Sequence, residues 1–401
     1  MVVAGFITAA MINRSLGPST RGIYAEMQTW MGLFAVIFGM SIDTAIYHFA
    51  NKALYGTDDR ARFVTTFSLS LFCGILASGA LTAFVYVWPE QVSSVTYKYI
   101  FLLDFLLVAT ILMGNLIICL QALGEIRYSA AIGVVQGITN LLVIGYVYVA
   151  ELLNIKTVLL SLLLVQCATC LLLSKRFSKH TFGSGGLSLD LAKRMVFAGF
   201  KQHIATVATF VYTKINQLVV FRYCGESEAG IFAVSLSAAF SLMFIPMTLQ
   251  IVLYPRIIHG ADEYEVTIKS LRFGFYVWGG IVMSMVVFAK PILLLYAGKE
   301  FLPAINTFRI LMLAAWFLPL SSLVAPYCTK VGAFYAMSFS AVFLGAISIV
   351  LNILLVPSYL GIGAALSTLT TTCTGFSVAL ILLWVLSKKN PLEFMKVRIP
   401  L

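Results

Sequence analysis

The sequence predicts an all-α, polytopic membrane protein of twelve transmembrane helices in two pseudo-symmetric six-helix lobes. Three observations predict it. Of the 401 residues, 60% are hydrophobic and 11% charged, with a mean hydropathy of +0.96, whereas soluble domains carry about 25% charged residues. The apolar residues gather in runs of about twenty, the length a helix needs to cross ~30 Å of hydrocarbon. The chain also writes one punctuation twice, "GPSTRGIYA" (17–25) and "GESEAGIFA" (225–233). An arginine stands three residues upstream of each, Arg14 and Arg222, and every matching position is offset by 208.

The first run, 1–13, is too short to cross. Runs at 27–49, 62–88, 97–121, 128–150 and 155–174 follow. The basic, Gly- and Ser-containing stretch "SKRFSKHTFGSGGLSLDLAK" (174–193) comes next, then runs at 194–221, 230–254, 270–296, 304–328, 332–356 and 361–386. Lysine and arginine test this count, because they are retained on the cytoplasmic side. Counting the first three residues of a run with the loop before it, seventeen of the 27 lie in loops after even-numbered spans or in the C-terminal tail, six in loops after odd-numbered spans and four deeper within spans. Both termini are therefore expected in the cytoplasm. The net charge of +11 reads as this asymmetry and as attraction to anionic lipid, and nothing points to nucleic acid.

Six spans separate the two copies of the punctuation, so both halves enter the membrane with the same orientation, as a parallel repeat. The expected organisation is an N-terminal lobe over 1–180, a cytoplasmic linker over 181–193, a C-terminal lobe over 194–387 and a tail over 388–401. Subtracting the offset from the start of span 7 places the matching start of span 1 about 14 residues before Met1, so span 1 is expected to be truncated or else short or re-entrant. Locally, each glycine-containing stretch reads as a helical hairpin. A helix ends at the arginine, a turn follows, and a new helix starts at Ile-aromatic-Ala, with Gly supplying the cap.

Polar residues within spans mark where a helix meets something other than lipid. In span 7, Gln202, Thr206, Thr209, Thr213 and Asn216 recur at steps of four and three, one continuous stripe. The stripe serves either interhelical hydrogen bonds or a hydrated cavity. Lys201 and Lys214 flank it, and a lysine at mid-span costs about 2.5–3.5 kcal/mol on insertion scales unless it snorkels. Asp43 in span 2 and Asp104 in span 4 are acids that must pair or titrate there.

The connections are too short to hold a soluble catalytic domain. No phosphate-binding loop, zinc cluster or Ser/His/Asp set is legible, so no enzyme activity or cofactor is expected. Seven cysteines, mostly inside apolar runs, form no disulfide framework.

The arrangement Arg14-x-x-Gly17-x4-Gly22-Ile23-Tyr24-Ala25 resembles the first helical hairpin of bacterial polysaccharide flippases of the Wzx type. That family belongs to the multidrug/oligosaccharidyl-lipid/polysaccharide exporter superfamily. "YAGKEFLPAINTFRIL" (296–311) is similar to the segment before span 10 in that family. "LNILLVPSYLGIGAALSTL" (351–369) is the most specific match, through Asn352, Pro357, Gly361, Gly363, Ala364 and Ala365. One departure stands out: many relatives carry an Ile-Asp pair near the end of span 7, where this chain has Ile215-Asn216.

The resemblance implies a MATE-like fold and alternating access for a polyprenyl (pyro)phosphate carrying an oligosaccharide repeat unit. It implies the bacterial cytoplasmic membrane, coupling to H+ or Na+, and work alongside a polysaccharide polymerase and assembly proteins. On that reading Lys201 and Lys214 hold the phosphate, and Arg14 and Arg222 guard the outer mouth. Gln202, Thr206, Thr209, Thr213 and Asn216 meet sugar hydroxyls, and Asp43 or Asp104 takes the coupling ion. An ion-coupled multidrug exporter of the same superfamily, or a flippase for another lipid-linked precursor, is the alternative.

Overall fold

The computed structural model describes residues 2–49, 59–180, 186–241, 243, 246, 257 and 263–396, the side chains of residues 2, 47, 48, 178–180 and 201 excepted. The described residues form helices and turns, with no strand among them. The chain divides into two compact units, Met1–Phe210 and Val211–Leu401.

The first unit holds α1 (Val2–Gly39), α2 (Ile42–His48), α3 (Asp59–Val87), α4 (Ser94–Lys98), α5 (Ile100–Ala122), α6 (Ile126–Val149), α7 (Ile155–His180) and the start of α8 (Leu189–Ser241). Here α3 packs along α5, α5 along α7, and α1 against α3 and α6. Leu191 and Met195 of α8 join Leu116, Cys119, Leu173 and Phe177 in one buried cluster.

The second unit continues α8 and adds α9 (Glu263–Phe273), a π turn at Gly274–Trp278 and α10 (Gly279–Val287). It is completed by α11 (Ala289–Tyr296), α12 (Ile305–Ser322), α13 (Ala325–Lys330) and α14 (Phe334–Ser387), with α12 lying along α14.

Among the described residues, eight helical stretches are long and apolar enough to cross a membrane. Two of them, Gln202–Ser241 and Phe334–Ser387, each carry two of the predicted spans, and α1 carries the first span and most of the second. The part of span 8 beyond Ser241 falls largely outside the described residues. The helices run together because the predicted loops shrink to single residues, Gly17 (φ 67, ψ 173), Gly225 (φ 84, ψ 178) and Leu360 (φ 52, ψ −137).

Bonds bridge all three corners. Arg21 Nε donates to Asn13 Oδ1 at 2.8 Å, Gln217 Nε2 to the Ala229 carbonyl at 2.9 Å, and Asn352 Nδ2 to Ser367 Oγ at 2.9 Å. In α14 the fold-back is tight. A Cβ at Gly363 would overlap the Leu355 carbonyl, and one at Gly375 would lie 3.1 Å from Leu344.

The sequence leads one to expect several turn residues after each arginine, and the structure corrects this. The helix resumes at the residue after each glycine. Pro18 suits a first helical position because it has no N–H to satisfy and its φ is preset. Glu226 places an acid at a helix start, where it complements the dipole.

The predicted span 2 is also not one helix. It breaks at Met40 (φ 51) and Ser41 (φ 47) before α2 begins. There α8 passes so close that a Cβ at Gly199 would overlap the Met40 carbonyl.

Gly17 and Gly225 share the positive-φ, extended-ψ region that is essentially glycine's alone, where a side chain costs about 1–3 kcal/mol. Gly17→Ala and Gly225→Ala should therefore each lower the melting temperature of the detergent-solubilised protein by several degrees. Gly5→Ala, in α1 with open space around it, should not. Equal melting of all three would refute the shared turn.

Candidate functional site

The sequence stripe on α8 spans the division between the two units. Its first three members belong to the first unit. Gln202 is exposed, Thr209 is exposed and donates to the Ala205 carbonyl at 2.8 Å, and Thr206 is half-buried. Thr206 accepts from Ser41 Oγ at 3.1 Å, and Ser41 also lies 3.5 Å from His203 Nδ1. The stripe thus meets the break between α1 and α2. The two positive-φ residues there are Met40 and Ser41, and Ser41 is buried against the stripe.

The last two members belong to the second unit. Thr213 is half-buried and Asn216 is 1% exposed. Asn216 sits in a buried knot joining α8 to both arms of α14. Its Nδ2 donates to Thr368 Oγ1 at 2.6 Å, and its Oδ1 accepts from Asn352 Nδ2 at 2.7 Å and Ser348 Oγ at 3.4 Å. Asn352 Nδ2 also reaches Ser367 Oγ and the Ser348 carbonyl. No member carries a formal charge, so the desolvation penalty that a buried ion would bring does not arise. Each amide and hydroxyl is matched to a neighbour except Asn352 Oδ1, which is buried without a partner. The Asn216 side chain is therefore already engaged with other helices.

Ser348, Ser367 and Thr368 were not singled out by sequence reasoning. The signal was present in the four-residue step from Ser348 to Asn352 and in the density of hydroxyls in "STLTTT" (367–372).

Lys201 lies on α8 with its side chain outside the described residues. Lys214 is exposed on α8, one turn beyond the start of the second unit. Arg14 and Arg222 are both exposed, each three residues before its corner glycine. The acids part company. Asp43 is exposed in the first turn of α2. Asp104 is half-buried between α3 and α5, where Thr82 Oγ1 donates to its Oδ2 at 2.5 Å and its buried Oδ1 has no partner.

A further acid, Glu26, falls at the edge of a predicted span and is fully buried. It accepts from Ser93 N at 3.2 Å, Thr96 Oγ1 at 2.8 Å and Trp30 Nε1 at 3.2 Å, tying α1 to the turn that starts α4. In the second unit Glu228 holds the corner of α14 by accepting from Gly361 N at 3.1 Å. A Cβ at Gly361 would lie 2.7 Å from that carboxylate oxygen. The two glycines of "GIGAA" (361–365) thus make room for a carboxylate and for a folded-back helix.

No family model and no curated protein matches the chain. Solved structures do match over nearly its whole length. The chain is similar to the lipid II flippase MurJ in an inward closed conformation, with a TM-score of 0.71, 15% identity and coverage of 98% of this chain and 93% of that one. It is also similar to an inward-facing multidrug resistance MATE transporter of the MOP superfamily (TM-score 0.69, 13% identity, 97% and 96% covered). An outward-facing structure of a MATE transporter of that superfamily matches with a TM-score of 0.66 and 14% identity, covering 97% and 93%. The fold is therefore that of the MATE-like, multi-pass membrane proteins, and the neighbours are transporters and flippases rather than enzymes.

Removing one partner from a buried hydrogen-bonded group costs about 1–3 kcal/mol. Asn352→Leu should destabilise the second unit by that amount in a thermal melt in detergent. Thr209→Val, at an exposed position, should fall within about 0.5 kcal/mol of the parent. Comparable melting of the two variants would show that the knot contributes nothing.

Proposed function

We propose that this protein translocates a polyprenyl-(pyro)phosphate-linked oligosaccharide repeat unit across the bacterial cytoplasmic membrane, for surface polysaccharide assembly, with both termini in the cytoplasm. The observation that carries this reading is the charge on α8. Between Asp190 and Glu226 the helix has no acid, yet it carries Lys201 and an exposed Lys214. A phosphate needs cations that can donate hydrogen bonds in a weakly screened setting. Sugar hydroxyls are matched by uncharged donors and acceptors, which Gln202, Thr206, Thr209 and Thr213 offer. Arg14 and Arg222 add cations next to the corner glycines.

A cationic drug would call for the opposite sign of charge on α8. The sequence motifs shared with polysaccharide flippases and the likeness to a lipid II flippase fold support the same reading. The carrier lipid is the partner in the membrane, and a polysaccharide polymerase is the expected partner in assembly. Asp104 is the stronger candidate to take a coupling H+ or Na+. Its carboxylate has a buried oxygen without a partner, whereas Asp43 is exposed.

In cells lacking the gene, complete repeat units should accumulate on the lipid carrier while surface polysaccharide disappears. Missing or incomplete lipid-linked units would place the protein earlier in the pathway. Normal polysaccharide with retained cationic dyes would make it a drug exporter.

A hydrogen bond to a charged group is worth about 1.5–3 kcal/mol, so Lys214→Ala should reduce export about tenfold or more and Lys214→Arg should retain most of it. Full export by Lys201→Ala/Lys214→Ala together would refute the cation role. Asp104→Asn keeps the Thr82 bond and should fold normally, while losing the dependence of transport on the ion gradient.

A further inference from the structure

The segment Pro391–Met395 is docked, and the way it docks singles out one turn of helix. Pro391–Met395 form a short 3-10 segment whose Phe394 is completely buried. The Phe394 ring meets Phe275 at 5.4 Å and Phe376 at 5.9 Å, both edge-on, within a cluster that includes Leu271, Leu320 and Leu383. Around this anchor, four side-chain bonds reach backbone carbonyls of the segment. Tyr264 Oη donates to Asn390 O at 2.8 Å, and Arg272 donates to Glu393 O at 2.9 Å and Phe394 O at 3.3 Å. Tyr276 Oη donates to Met395 O at 2.8 Å. The surface reads a peptide backbone and one aromatic side chain, and its occupant is this chain's own C-terminal segment.

Two of these contacts, from Phe275 and Tyr276, fall within the π turn of Gly274–Trp278. A π turn inserts a residue into the helical ladder, leaves a backbone group without its usual partner, and recurs where helices hinge. Here the Phe275 carbonyl accepts from Trp316 Nε1 at 3.2 Å, and Trp278 Nε1 donates to Ala315 O at 2.9 Å. A Cβ at Gly279 would overlap the Trp316 indole, and one at Gly274 would lie 2.9 Å from Leu320. The turn is therefore held on one side by α12 and on the other by the C-terminal segment. The second hold rests on a short 3-10 segment past the last long helix among the described residues.

We propose that Pro391–Met395 is a strap that keeps the helix pair α9–α10 in its π-turned register, and that release of Phe394 from its pocket frees that turn to rearrange. Vacating the pocket strips the Phe275 and Phe376 edges of their partner and leaves the Arg272 and Tyr276 donors without their acceptors. A factor that binds or modifies the C-terminal segment would thereby act on a membrane-spanning helix. This inference rests on the second unit alone and does not depend on the substrate.

The test is amide hydrogen exchange on the detergent-solubilised full chain, on a version ending at Lys389, and on Phe394→Ala and Tyr276→Phe. Local release raises exchange by about tenfold or more in the opened segment while the rest of the unit keeps its protection. The expected result is such a rise over 273–279 in the truncated and Phe394→Ala proteins, a smaller rise in Tyr276→Phe, and unchanged α12 and α5. Adding the peptide Asn-Pro-Leu-Glu-Phe-Met-Lys (residues 390–396) to the truncated protein should restore protection. Unchanged exchange over 273–279, an equal rise across the whole second unit, or failure of the added peptide to protect would each overturn the proposal.

Discussion

Inside a hydrocarbon layer no water is available to a backbone N–H or C=O, so each must be satisfied within the chain. The features described above follow from that constraint. It explains why helices dominate the described residues, and why several are joined by little non-helical backbone. A one-residue corner interrupts the ladder once, and only a positive φ turns the chain so sharply. Gly17 and Gly225 adopt it freely. Leu360 adopts it too, and a leucine held there is strained unless its surroundings fix it. The surroundings are present: Glu228 grips the next amide, and the two arms of α14 are bonded to each other through Asn352 and Ser367.

The same constraint acts on polar side chains, and the two units answer it differently. In the first unit, beside the Glu26 cluster, several contacts are pairs between neighbouring helices: Thr82 with Asp104, Ser70 with Asn115, and Thr110 with Gln166. In the second, one knot gathers Asn216, Ser348, Asn352, Ser367 and Thr368. The repeat is thus preserved in the backbone, where two glycines 208 residues apart take nearly the same φ and ψ. The side-chain chemistry has diverged. Backbone geometry is fixed by a steric rule that no other residue type meets as well, whereas a buried polar contact can be satisfied by many combinations of partners.

This difference decides what could be read from the sequence. The helical runs and the corners at Gly17 and Gly225 were legible, because hydropathy and glycine report local requirements, whereas Gly361 and Gly363 stood out only as motif residues and their close packing came from the structure. The lengths of the corners were not, since whether a glycine caps a loop or replaces one depends on the next residue and on how closely the arms pack. The break at Met40–Ser41 was invisible. What packs against it is Gly199, more than 150 residues away, where a Cβ would overlap the Met40 carbonyl. Periodicity placed Gln202 to Asn216 on one face of α8, and that much follows from helix geometry. It could not tell that Asn216 is occupied by α14 while Gln202 and Thr209 remain exposed, because period carries no information about what lies opposite.

The distribution of charge follows from where neutral and charged groups have been placed. The knot around Asn216 is built from amides and hydroxyls, so it holds α8 and α14 together whatever the proton or ion concentration. An acid at that position would require a cation to offset its burial, and its absence separates structural cohesion from charge. Two acids in the first unit that meet hydroxyl groups of other segments, Glu26 and Asp104, are held differently. Glu26 has a donor for each oxygen, so its carboxylate is fully engaged in joining α1 to the turn before α4. Asp104 has one oxygen bonded and one buried without a partner, so of these two acids it has capacity for a further partner. An ion that binds there adds a bond without breaking one.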